Sequence, residues 1–185
     1  MKKNCKSLVL IVAALFISLS VKADEPVSQN IIKANLFSPL VRTGSFFYER
    51  ALNEDMSFQM GFFYTGASIS DTRFRGVGIT PEFRYYLSER RTAPSGVYVA
   101  PYLRYQNFSL SAEGDPGKAT YSGLGGGLLI GAQTLLKNTI SLEGFIGPSY
   151  FSGNLKVTDG EQDDFDIGFF DGFGVRFGFT VGLAF

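Results

Sequence analysis

The stretch Phe173-Gly174-Val175-Arg176-Phe177-Gly178-Phe179-Thr180-Val181-Gly182-Leu183-Ala184-Phe185 alternates without a break. Phe173, Val175, Phe177, Phe179, Val181, Leu183 and Phe185 fall on one side, and Gly174, Arg176, Gly178, Thr180, Gly182 and Ala184 on the other. Successive side chains of a strand point to opposite faces, so this is a β-strand with one fully apolar face and one small or polar face. Working back from it, the same period of two recurs near residues 31–37, 45–52, 56–65, 77–87, 97–109, 122–136 and 140–151, which makes eight strands with 173–185. No helical periodicity competes with it after residue 24.

The connections fit antiparallel hairpins. Residues 53–55, 88–96 and 137–139 are short links, whereas longer polar segments follow the third, fifth and seventh strands. Leu52 and Met56 must share a face, as must Leu136 and Ile140, and a three-residue link allows this where a two-residue link would not.

Composition narrows the function classes. The chain has 185 residues, 17 Lys+Arg against 17 Asp+Glu, 22 Gly, 19 Phe, 9 Tyr, one Cys and no His. With 45% hydrophobic and 18% charged residues it is no disordered tail, and it lacks the basic excess that binding to nucleic acid requires. Residues 1–23 have the three parts of a secretory signal: Lys2, Lys3 and Lys6, an apolar run over 8–19, and Val21-Lys22-Ala23 before Asp24-Glu25. A membrane anchor is the alternative, but twelve residues fall short of the about 20 that a spanning helix needs. Cleavage after Ala23 removes Cys5 and four lysines, leaving 13 basic against 17 acidic residues, a net −4. The expected organisation is a signal peptide over 1–23, a short polar segment over 24–30 and an eight-stranded antiparallel up-and-down barrel over 31–185.

Alternation does not say which way such a barrel faces. A soluble lipocalin-like carrier turns its apolar face inward, and a transmembrane barrel turns it outward. The second face decides. It is mostly Gly, Ser, Thr and Ala, which suits a narrow lumen filled by side chains and not a surface in water. Its charges are Lys33, Glu49, Glu82, Arg84, Arg104, Glu143 and Arg176, four positive and three negative, while the apolar face carries only Arg50, near a strand end. A one-residue slip would drive Arg84, Arg104 and Arg176 into lipid, so the register is strongly specified. Pro81, Pro101 and Pro148 lie inside strands, where a missing N–H has no edge to hide on, and a bulge that bends the wall is expected there.

These residues resemble the small outer-membrane β-barrels of Gram-negative bacteria, similar to the membrane domain of outer membrane protein A and to short adhesion-linked barrels. The resemblance covers residues 31–185. It rests on the signal peptide, the eight strands, the terminal Phe185 and the repeated pattern Pro81-Glu82-Phe83-Arg84-Tyr85 with Pro101-Tyr102-Leu103-Arg104-Tyr105. It implies an integral, monomeric outer-membrane protein among lipid and lipopolysaccharide, with Phe185 as the signal read by the barrel assembly machinery. Because the sequence stops at Phe185, a periplasmic peptidoglycan-binding domain of the kind some members of that group carry is not expected. Enzymes among such barrels pair a serine with a histidine, and this chain has no histidine to match, so a non-enzymatic protein without cofactor is expected.

Three constellations stand out. The lumen charges are either a salt-bridged plug or a narrow path for ions or small solutes. Asp159, Glu161, Asp163, Asp164 and Asp166 crowd oxygen ligands that suit Ca²⁺, but not at EF-hand spacing, and a solvated acidic loop is the plainer reading. Phe165, Ile167 and Phe169 continue the alternation of the last strand beyond the bilayer. They predict a β-arm made by strands seven and eight, which binds an extracellular partner or packs on neighbouring loops and lipopolysaccharide.

Overall fold

A computed structural model describes residues 28–66, 68–69, 72–88, 92–112, 118–159 and 171–185. The expected signal peptide therefore lies outside the described residues. The strands are β1 (Asn30–Asn35), β2 (Thr43–Ala51), β3 (Met56–Thr65), β4 (Thr72–Tyr86), β5 (Gly96–Ala112), β6 (Lys118–Leu136), β7 (Ile140–Asp159) and β8 (Gly172–Ala184). A two-residue piece, Ser68–Ile69, prolongs the β3 side and pairs with the start of β4, and a 3₁₀ turn over Ser38–Val41 joins β1 to β2.

Each strand pairs antiparallel with the next, and β1 pairs with β8 from Ile31↔Ala184 to Asn35↔Thr180. The sheet is closed, and its edges are removed. All eight strands expected from alternation are present, as an up-and-down barrel. The hairpin registers also agree: Leu136 pairs with Ile140, and Leu52 N–H donates to the Met56 carbonyl at 2.8 Å. Lys137 and Asn138 both adopt φ of 53°, the left-handed geometry whose twist suits a tight hairpin.

The wall is apolar on the outside. Phe58, Phe62, Ile79, Phe83, Leu103, Leu128, Ile130, Ile146, Val175 and Phe177 are all exposed. Tyr48 and Tyr85 ring the short-turn end of this belt, and Tyr64, Tyr105 and Tyr150 ring the long-loop end, as amphipathic rings do at the two surfaces of a bilayer. The inward face carries Lys33, Glu49, Gln59, Glu82, Arg84, Gln133 and Glu143, all buried. This arrangement overturns the soluble-carrier alternative, because a carrier needs the apolar face inside.

Two expectations about the strands are corrected. No bulge accompanies the prolines. The pairings Met60↔Pro81, Pro101↔Leu128 and Pro148↔Val175 sit in ladders with constant register, and the one shift between β6 and β7 is at Lys118/Ala119. The missing N–H is absorbed by local gaps in the ladder, between Ile79↔Tyr105 and Glu82↔Tyr102 and between Gly127↔Ser149 and Ile130↔Ile146. Second, the strands run further past the belt than alternation of apolar residues marks. β7 reaches Asp159, and its extension pairs with β6, Lys118↔Asp159; the last of its pairs with β8 among the described residues is Phe151↔Gly172. Among the described residues the projecting sheet takes in β4, β5, β6 and β7, with Thr72↔Ala112 and Lys118↔Asp159 among its outermost pairs, and residues 160–170, which a β7/β8 arm would need, lie outside them. Phe165, Ile167 and Phe169 lie outside the described residues.

In that projection the two faces exchange character. Beyond Tyr105, β5 turns Asn107 and Ser109 outward and buries Phe108 and Leu110. Beyond Tyr150, β7 exposes Ser152, Asn154 and Lys156, while Leu155 and Val157 pack against a buried cluster of Phe108, Leu110, Ala119 and Tyr121. Asn107 Nδ2 donates to Ser122 Oγ across the outer face at 2.7 Å. Polar-out and apolar-in is the pattern of a sheet in water.

Candidate functional site

The barrel closes on itself with room inside only for side chains, so inward-facing residues from opposite walls meet. Lys33 on β1 is the hub of the short-turn end. Its Nζ donates to Glu49 Oε2 at 2.6 Å, to Gln133 Oε1 at 2.8 Å and to Glu143 Oε2 at 2.8 Å, which uses all three of its donors. Arg84 on β4 reaches in from the other side. Its Nη1 lies 3.1 Å from Glu49, its Nη2 2.7 Å from Glu143 and its Nε 2.7 Å from Glu82, and its charge rests over the Tyr98 ring at 4.5 Å.

Uncharged groups complete the shell. Glu49 also accepts from Ser57 and Tyr86, and Glu143 from Tyr98 and Thr180. Gln133 Nε2 donates to Glu49 at 3.0 Å and to the Pro94 carbonyl at 2.6 Å, which ties the network to the turn beneath the barrel. Lys33, Glu49, Arg84 and Glu143 have side chains without solvent exposure. A buried charge is tolerated only when paired and hydrogen-bonded, and here every carboxylate has at least two partners.

The seven charges of the sequence reading thus fall at two levels. Lys33, Glu49, Arg84 and Glu143 form the lower cluster, Glu82 bridges Arg84 to Arg176 at 3.2 Å, and Arg104 stands apart toward the loop end. Arg104 Nε donates to Thr80 Oγ1 at 3.0 Å, and its guanidinium lies 5.1 Å from the Phe63 ring centre and 5.9 Å from that of Phe151. Gln133, Tyr86, Tyr98, Ser57 and Thr180 are as central as the charges but were not singled out by charge alone. Their signal was position on the inward face.

The remaining candidates are less defined. Glu161, Asp163, Asp164 and Asp166 lie outside the described residues, as does the side chain of Asp159. Among the described residues no group of three or more acidic or other ligating side chains is placed to hold a metal. Phe185 is exposed, and its backbone closes the β1 seam, with Phe185 N–H donating to the Asn30 carbonyl at 2.9 Å and Asn30 N–H donating back at 3.2 Å.

A closed eight-stranded barrel with an apolar, tyrosine-edged exterior and an ion-paired interior defines an outer-membrane-type barrel. The chain belongs to the family described as Protein of unknown function (DUF3575), whose profile matches residues 8–167. Among solved structures it is similar to a major outer membrane protein from Thermus thermophilus, at 16% identity and a TM-score of 0.54, over 86% of this chain and 100% of that one. It is also similar to Acinetobacter baumannii CarO2, at 13% identity and a TM-score of 0.41, over 85% of this chain and 97% of that one. No curated protein matches the chain. The first likeness establishes the fold, that of the small bacterial outer-membrane barrels.

Proposed function

We propose that the chain is an integral, non-enzymatic protein of the bacterial outer membrane whose lumen is sealed by its ion network and whose long loops make structural or adhesive contacts at the cell surface. The observation that carries the reading is the Lys33, Glu49, Arg84 and Glu143 cluster, buried and mutually ion-paired across the lumen. Widening such a lumen means leaving carboxylates unpaired in a low-dielectric space, which holds it shut. The outward belt supplies the membrane location, and lipid and lipopolysaccharide are its immediate partners. Phe185 is the residue we assign to recognition by the barrel assembly machinery.

Planar-bilayer recording of the refolded protein tests the seal. No stable single-channel current is expected from the wild type, and a stable current that disappears in Arg176→Ala favours the ion-path reading instead. Deleting residues 156–170 tests the contact role. Loss of surface adhesion with retained heat-modifiable migration on a denaturing gel is expected, and unchanged adhesion overturns it.

A further inference from the structure

We propose that the loop side of the lumen binds a small oxyanion between Arg104 and Arg176. Lys33, Arg84 and Arg176 balance Glu49, Glu82 and Glu143 three against three, which leaves Arg104 as a surplus cation with no carboxylate partner among the described residues. Donors are also in surplus at this level. Arg176 is 8% exposed and Tyr102 4%, yet Arg176 Nη2 and the Tyr102 hydroxyl have no hydrogen-bond partner. An unmet buried donor is costly, and two beside an unbalanced cation mark where a negative acceptor belongs.

The strands place these groups together. Thr80 and Glu82 are successive inward residues of β4, and Arg104 bonds the first while Arg176 bonds the second. Tyr102 precedes Arg104 on the inward face of β5, and the Arg176 guanidinium lies over its ring at 4.4 Å and near Phe145 at 5.1 Å. Aromatic rings thus lie against both guanidiniums, and Arg176 Nη2 is left without a partner; a guanidinium edge matches two oxygens of one oxyanion. The ion network closes the site from below. Above it, Phe63 packs on the buried, stacked Phe108 and Tyr121, and Arg104 at their base keeps partial exposure. Binding here does not depend on whether the lower lumen conducts.

The test is titration of the full refolded chain in detergent micelles with sulfate, and separately acetate, at constant ionic strength maintained with potassium chloride. The readout is the ¹⁵N-arginine side-chain signals, assigned by their loss in Arg104→Gln and Arg176→Gln. Saturable shifts confined to Arg104 and Arg176 are expected, with sulfate affinity weakened about tenfold or more in Arg104→Gln, as for loss of a charge-assisted pair. Acetate binding alongside sulfate marks a general oxyanion site, and sulfate alone a tetrahedral one. Heat-modifiable migration confirms folding of each variant, and Arg104→Lys and Thr80→Val serve where Arg104→Gln does not fold. Absence of saturable shifts with both anions, or unchanged affinity in Arg104→Gln or its substitutes, overturns the proposal. So does sulfate binding that appears only after deletion of residues 160–170, since the chain's own carboxylates then fill the site.

Discussion

Lys33 on β1 and Glu143 on β7 meet at 2.8 Å although β8 lies between their strands, so this ion pair spans the seam at which the barrel closes. The same ammonium holds Glu49 on β2. One side chain therefore ties three strands on both sides of the first and last pairing of the chain.

Lys33→Met is expected to lower barrel stability by about 3–5 kcal/mol, the usual cost of leaving buried partners uncompensated. Adding Glu143→Gln to it should recover part of that loss, because the second change removes a stranded carboxylate. Equilibrium unfolding in liposomes, followed by heat-modifiable migration, measures both. Strict additivity of the two single effects would show that the pair is not coupled.

The outward belt makes a depth-dependent prediction. Ile130 lies mid-strand on the lipid face of β6, in the row Val99, Ile130, Ile146 and Phe177, whereas Leu136 sits at the last outward position of the same strand. Ile130→Arg should cost about 2–4 kcal/mol and Leu136→Arg about 0–1 kcal/mol in liposome unfolding. Equal costs would place the bilayer elsewhere on the wall.

Two glycines of β7, three residues apart, should respond differently. A Cβ at Gly147 would collide with the Leu128 carbonyl of β6, where the backbones approach closely beside Pro148, whereas at Gly144 the nearest atom is Phe179 Cδ2 at 3.9 Å. Gly147→Ala is expected to destabilise by about 1–3 kcal/mol, as overpacking does, and Gly144→Ala to change stability by about 0.5 kcal/mol or less. Urea midpoints of the two refolded variants decide it.

Removal of Phe185 separates assembly from stability. Its exposed ring contributes little packing, and the backbone bonds to Asn30 are two among many. Deletion should reduce the amount of heat-modifiable barrel in cells severalfold while leaving the yield of in-vitro refolding nearly unchanged. A parallel fall in both yields would assign Phe185 to the seam alone.

Alternation from residue 173 to 185 made the barrel legible, because a period of two with one apolar face leaves a single register. The seven charges were legible as a set for the same reason. Which of them meet was not, since Lys33 touching Glu143 across β8 depends on closure and stagger, and neither is written in any one strand. Gln133 reads from sequence as an inward residue on the face of Gly131, but a neutral amide gives no charge signal to single it out as part of the network. The strand ends were set short in β5, β6 and β7 for a different reason. There the period persists but its meaning reverses: Phe108 and Leu110 point in where Leu103 and Tyr105 point out. The prolines, expected to demand a bulge, cost only ladder bonds, because a register held by both neighbouring strands does not yield to one absent donor.

That reversal gives the molecule two interiors in series along the same strands. The lower one is polar, bounded by lipid, and held by ions; the upper one is apolar, bounded by water, and held by Phe108, Leu110, Tyr121 and their neighbours. Their stabilities answer to opposite agents, since the lower resists unfolding because its wall is solvated by hydrocarbon and the upper because its contents are not solvated by water. The upper interior can consequently open as a separate cooperative unit while the membrane wall stays intact. Sequence change in the projecting sheet is in this way insulated from the ion-paired part of the barrel.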